Sequence, residues 1–117
     1  MGAAVLVDGR AATVAGCENG FYVGPTIIDN VTPEMRIASE EILGPVLAIL
    51  RARDLDEAVA IENASPFGNA AAIYTRDGGA ARDFAARASS GMVGVNIGVP
   101  VPREPVSYTH LTLPTKA

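Results

Sequence analysis

The chain has 117 residues, nearly half of them apolar, which is enough for one small globular core. Thirteen acidic residues against nine basic leave a net charge of −4, which argues against nucleic acid or an anionic membrane surface as partner. One cysteine excludes an internal disulfide, no apolar run approaches a bilayer span, and no secretory leader pattern opens the chain. A reducing, cytoplasmic setting is therefore expected, with any mitochondrial address lying upstream of Met1.

Ala3 to Val7 reads as a buried strand closed by the Asp8-Gly9 turn. Two extended segments follow, Phe21 to Val23 and Thr26 to Val31, separated by Gly24-Pro25. Thr32-Pro33 pairs an N-cap residue with a first-turn proline and predicts a short helix over Glu34 to Ile37. Val46 to Ala52 is the next strand. Asp54-Leu55-Asp56-Glu57 has capping-box form and starts a helix running to Asn63, with Leu55, Ala58, Val59 and Ile61 on one side.

Ser65-Pro66-Phe67-Gly68-Asn69 reads as a loop in which Gly68 supplies a positive φ and Asn69 a local side-chain bond. Ala70 to Thr75 is a short strand. Asp77 caps a helix carrying Ala81, Phe84, Ala85 and Ala88 at helical spacing, with Gly91 as its left-handed terminator. Met92 to Ile97 is the last strand, leading into a proline-rich stretch. Strand, helix, strand, helix, strand over about fifty residues predicts an α/β fold, a mainly parallel sheet with right-handed crossover helices.

The most informative run is Glu40-Glu41-Ile42-Leu43-Gly44-Pro45, immediately before the apolar Val46 to Leu50. Two carboxylates at the mouth of a strand are costly unless something uses or neutralises them. A ribose diol is one user, because a carboxylate accepts hydrogen bonds from both hydroxyls and Gly-Pro fixes where the acid points. The alternative is that both glutamates solvate a helix end. No Gly-x-Gly-x-x-Gly follows a strand, so a pyrophosphate is expected to be held elsewhere.

Gly20-Phe21-Tyr22-Val23-Gly24-Pro25-Thr26-Ile27-Ile28-Asp29-Asn30-Val31, then Thr32 to Ile37 and Glu40 to Val46, resemble the C-terminal part of the aldehyde dehydrogenase catalytic domain. Leu6-Val7-Asp8-Gly9-Arg10 and Gly91-Met92-Val93-Gly94-Val95-Asn96 narrow the resemblance to the CoA-acylating methylmalonate-semialdehyde branch, over about Ala3 to Pro105. The resemblance implies NAD as cofactor, coenzyme A as co-substrate, a small semialdehyde as substrate, and a homo-oligomer at full length. It implies that Glu41 reaches the nicotinamide-side ribose, with Glu40 facing solvent. Leu43 takes a slot the family usually fills with phenylalanine near the nicotinamide. Leucine keeps apolar contact there and loses the flat ring face; it could equally be a core residue.

Asn96 with Gly98-Val99-Pro100-Val101-Pro102 is similar to the branch's approach to the substrate pocket, although a plain return loop explains the prolines nearly as well. The family nucleophile is a cysteine that attacks the aldehyde and is preceded by Gly-Gln and one further residue. Cys17 stands in Val14-Ala15-Gly16-Cys17-Glu18, so no catalytic residue is expected in this chain. No metal site is expected either.

After Pro105 the resemblance stops. Val106 to Ala117 resembles translated sequencing-adapter read-through, so residues 1–105 are expected to be a partial catalytic domain and 106–117 a non-native tail. The tail holds the only histidine, so a Ser-His-Asp triad or a histidine-ligated zinc cannot be built from the rest. The expectation is a fragment truncated at both ends and inactive alone. Two rivals remain: a hydrolytic aldehyde dehydrogenase using water in place of CoA, and a stand-alone small α/β binding module.

Overall fold

The computed structural model describes residues 2–99; the tail and the prolines from Pro100 onward lie outside them. The described residues divide into two units, parting between Ala52 and Arg53. The first unit contains β1 (Ala4–Val7), a 3-10 turn over Gly9–Ala11, β2 (Thr26–Val31), α1 (Arg36–Ser39) and β3 (Val46–Leu50). The second contains α2 (Leu55–Ala64), β4 (Ala71–Ile73), α3 (Gly78–Arg87) and β5 (Val93–Val95).

In the first unit the strand order is β1-β2-β3. The β-branched β2 is central, antiparallel to β1 with Ala4 opposite Asp29, and parallel to β3 with Thr26 opposite Val46. Val5, Leu6 and Val7 are 42–60% exposed, contrary to the expected buried strand. The reason is position: β1 has a partner on one side only, and apolarity alone does not separate an edge strand from a central one. Asp29 is buried on β2, where Arg51 holds it through both carboxylate oxygens and Asn30 N–H adds a third bond at 2.7 Å. Those donors keep the Asp29 carboxyl below the usual carboxylate range.

Gly9 is needed for close approach. Its carbonyl accepts Gly24 N–H at 2.8 Å and its own N–H donates to Thr26 Oγ1 at 3.0 Å, so two backbone segments cross in contact. A Cβ on Gly9 would fall 1.9 Å from the Gly24 carbonyl oxygen. The helix expected over Glu34 to Ile37 begins instead at Arg36. Met35 N–H bonds Thr32 O at 3.0 Å and closes a turn over Pro33 and Glu34 first.

In the second unit β4 and β5 are parallel, with α3 as the crossover between them. Among the described residues two of the three strand pairings are thus parallel, as the α/β pattern predicts. Asp54 caps α2 by accepting Glu57 N–H at 2.9 Å, and Asp77 caps α3 by accepting from Gly79 and Ala80. The capping box is displaced by one residue, because Glu57 reaches Arg53 N–H rather than that of Asp54. Val59 on α2 and Phe84 on α3 are buried, while Ala85 is exposed although its spacing matched.

Both glycine expectations fail in this unit. α3 ends at Ala88 in an extended conformation, and neither Gly68 nor Gly91 has a positive φ. Instead Gly91 N–H donates to Gly68 O at 2.8 Å, tying two loops by backbone. Asn69 makes no side-chain hydrogen bond among the described residues. Ser65 makes the local bond, its Oγ accepting Phe67 N–H at 3.2 Å, while Asn63 on α2 reaches the end of α3, donating to Arg87 O at 2.9 Å and accepting Ser89 N–H at 2.7 Å.

Gly9→Ala should lower the unfolding free energy by about 2 kcal/mol, since backbone must move to admit the methyl. Gly2→Ala, with nothing within 4 Å, should stay within about 0.5 kcal/mol of the parent in urea titrations.

Candidate functional site

α1 is one turn long and ends at Glu40, whose N–H bonds Arg36 O at 2.8 Å. The i,i+4 spacing brings the two side chains together on that turn. Arg36 Nε donates to Glu40 Oε1 at 2.7 Å and Nη2 to Oε2 at 2.8 Å, a two-pronged pairing. The guanidinium holds the Glu40 carboxyl below its usual range, and the Arg36 value rises in return. Glu40 is exposed as expected, yet it is neutralised rather than merely solvated.

Glu41 follows outside the helix and is exposed, with no ion-pair or hydrogen-bond partner among the described residues. The chain then reverses. Leu43 takes a left-handed φ of 53°, a conformation that costs a β-carbon residue about 1 kcal/mol. Val46 N–H bonds Gly44 O at 2.8 Å across Pro45, and Pro45 O accepts Thr26 N–H at 2.9 Å, docking the turn on β2. Leu43 is 87% exposed, which rules out the core alternative within its unit.

Glu40 and Glu41 stand at a cleft of about 540 Å³ within the first unit. Its apolar walls are Val5, Val23, Ile28, Ile37, Ile42 and Val46; Thr26, Asp8, Arg10 and Arg36 complete it. Asp8 and Arg10 are paired like Arg36 and Glu40: Arg10 Nε donates to Oδ1 at 2.9 Å and Nη2 to Oδ2 at 2.6 Å. Arg10 lowers the Asp8 carboxyl to about 2.

This arrangement fits one half of a dinucleotide. The open carboxylate of Glu41 can accept from a ribose diol, and the apolar walls suit a flat ring. Both cleft arginines are paired with carboxylates of their own, so the cleft offers a pyrophosphate no uncompensated cation among the described residues. Among the described residues no group of three metal-ligating side chains occurs. No helix among them is long and apolar enough to cross a membrane.

Asn96 lies in the second unit, also left-handed at φ 54°. Its side-chain amide is used at both ends on Thr75: Nδ2 donates to Thr75 O at 2.9 Å and Oδ1 accepts Thr75 N–H at 2.8 Å. Asn96 N–H also bonds Ile73 O at 2.8 Å, so the residue continues the β4–β5 pairing with its side chain. Cys17 is an exposed turn residue, its N–H on Val14 O and its carbonyl accepting Gly20 N–H. The neighbouring Glu18 carboxylate takes Gly16 N–H at 2.8 Å, and no base stands hydrogen-bonded to the thiol among the described residues. The arginine pairings went unread in the sequence; the four-residue spacing of Arg36 and Glu40 was their one visible signal.

The profile of the aldehyde dehydrogenase family matches residues 1–109. The malonate-semialdehyde dehydrogenase of Pseudomonas aeruginosa is 52% identical over 101 residues, covering 86% of this chain and 20% of that protein. The mitochondrial, acylating methylmalonate-semialdehyde/malonate-semialdehyde dehydrogenase of Mus musculus is 52% identical over 96 residues, 82% of this chain and 18% of the mouse protein. A crystal structure from Sinorhizobium meliloti 1021 complexed with NAD, assigned as a methylmalonate-semialdehyde dehydrogenase, superposes with TM-score 0.81 at 52% identity, covering 86% of this chain and 21% of that one. The chain thus spans about a fifth of the length of the relatives it matches.

Because the folded-state Asp8 value lies below the ordinary 3.8, any stability from its pair with Arg10 is complete above the ordinary carboxylate range and is lost as pH falls toward about 2. A carboxyl NMR titration should place the Asp8 midpoint near 2, and Arg10→Gln should return it toward 3.8.

Proposed function

The chain belongs to the aldehyde dehydrogenase family, and from that premise we propose that it is the nicotinamide-riboside side of an NAD-dependent, CoA-acylating semialdehyde dehydrogenase. The observation that carries this reading is the unpaired Glu41 carboxylate at the lip of an apolar cleft, held by the Gly44-Pro45 turn on β2. Glu41 accepts the ribose hydroxyls and so fixes the nicotinamide before reaction. Leu43 is strained and exposed and is not among the residues lining the cleft, so its apolar side chain would meet the ring only from outside those walls. Asn96 shapes the substrate approach by pinning the end of β5 to Thr75. NAD, when bound, supplies the hydride acceptor, and coenzyme A takes the acyl group.

In the whole enzyme the substrate is malonate or methylmalonate semialdehyde, oxidised with loss of carbon dioxide to give acetyl- or propionyl-CoA. Such an activity belongs to valine or inositol breakdown. The names of the relatives support this, as both carry the semialdehyde and the mouse protein is called acylating. The working form is a homo-oligomer in the reducing cytoplasm. The nucleophile lies outside this sequence, since Cys17 is its one cysteine and has no base hydrogen-bonded to it among the described residues.

The hydrolytic reading differs only in the acyl acceptor. CoA-dependent turnover of a full-length enzyme containing this segment supports acylation, and CoA-independent acid formation contradicts it. The 117-residue chain alone, given NAD and malonate semialdehyde, should produce no NADH above a protein-free control. Measurable NAD reduction at 340 nm would place a nucleophile in the chain and overturn the assignment of roles.

A further inference from the structure

Five charged side chains line the cleft, and four of them cancel in two pairs. Asp8 and Arg10 share three side-chain bonds, and Arg36 and Glu40 share two. Glu41 is the fifth. The cleft therefore carries one uncompensated negative charge, set beside apolar walls. The charges of both arginines are balanced by the carboxylates they hold through Nε and Nη2, so an anion finds no net positive charge here and meets Glu41 unshielded. A neutral diol can be bound, and a diol attached to a cationic ring is favoured further.

We infer that Arg36 and Arg10 act as charge-cancelling positioning residues that leave Glu41 alone to select a cationic riboside, so that this site prefers the oxidised cofactor to the reduced one. The inference rests on the ribose reading given above. Oxidised nicotinamide carries a positive ring charge and the reduced ring carries none. Opposite unit charges several ångströms apart near the surface are worth about threefold in affinity, more at low salt. A site with that preference releases the reduced product more readily than it releases the reactant. The role of Arg36 is indirect: without it the adjacent Glu40 carboxylate would add a second negative charge.

The test is titration of the ¹⁵N-labelled 117-residue chain at low salt with nicotinamide riboside, with its reduced dihydro form, and with inorganic phosphate, followed by backbone amide shifts around Thr26 and Val46. The oxidised riboside should bind about threefold tighter than the reduced one, and phosphate should leave the cleft amides unmoved. Glu41→Gln, an isosteric change at an exposed position, should equalise the two ribosides. Arg36→Gln should widen the gap, an effect opposite to simple loss of a structural contact. Equal binding of both forms to the parent chain overturns the inference while leaving the ribose reading intact. Binding of neither removes both. Phosphate shifts centred on Arg10 or Arg36 contradict the cancellation of charge.

Discussion

Thr26 joins everything that makes the cleft. Its N–H holds the Pro45 carbonyl, its hydroxyl accepts Gly9 N–H, and its strand position faces Val46. Through the first bond it anchors the turn that follows Glu41; through the second it fixes the Asp8-Gly9-Arg10 segment. The close crossing of Gly9 and Gly24 lets that second segment come near enough to form the other wall. One residue on the central strand, through its backbone N–H and its hydroxyl, thus ties the turn after Glu41 and the opposite lip to the same point. The apolar walls follow from the alternation of β1 and β2, which presents Val5, Thr26 and Ile28 on the cleft side.

Electrostatics then decides what the cleft can hold. Surface ion pairs contribute little to stability, and none of these is offered as a reason the fold persists. Their consequence is subtraction: each arginine is spent on a nearby acid, and one acid is left over. Leu43 shows a different economy, a left-handed, exposed apolar residue that no contact in its own unit requires. Strain of that kind is held by the turn that carries it, through the Gly44 and Pro45 carbonyl bonds to Val46 and Thr26.

Much of this was legible in the residues. Asp54 and Asp77 announced their helices because a capping side chain acts on backbone two or three residues away. Parallel pairing followed from the alternation of strands and helices around α3. The late start of α1 and the displaced capping box are local adjustments of a few residues, whereas other misses depend on a partner distant in sequence. The exposure of β1 depends on which side of β2 remains free. Among the described residues the left-handed positions are Gly16, Asn30, Leu43 and Asn96 rather than Gly68 or Gly91, and Asn96 is bonded to Thr75, twenty-one residues away. The carboxylate at Glu41 was readable as a candidate; that Glu40 would be cancelled while Glu41 stayed open required the fold.

The most direct measurement exchanges residues 2–99 of this chain into the matching stretch of the Pseudomonas aeruginosa relative and follows NADH formation from malonate semialdehyde with and without CoA. The account predicts CoA-dependent turnover in the exchanged enzyme, falling by about tenfold or more when Glu41→Gln weakens the ribose anchor by removing its charge. An exchanged enzyme with the parent's secondary structure and assembly that forms no NADH, or one indifferent to Glu41→Gln, would contradict it.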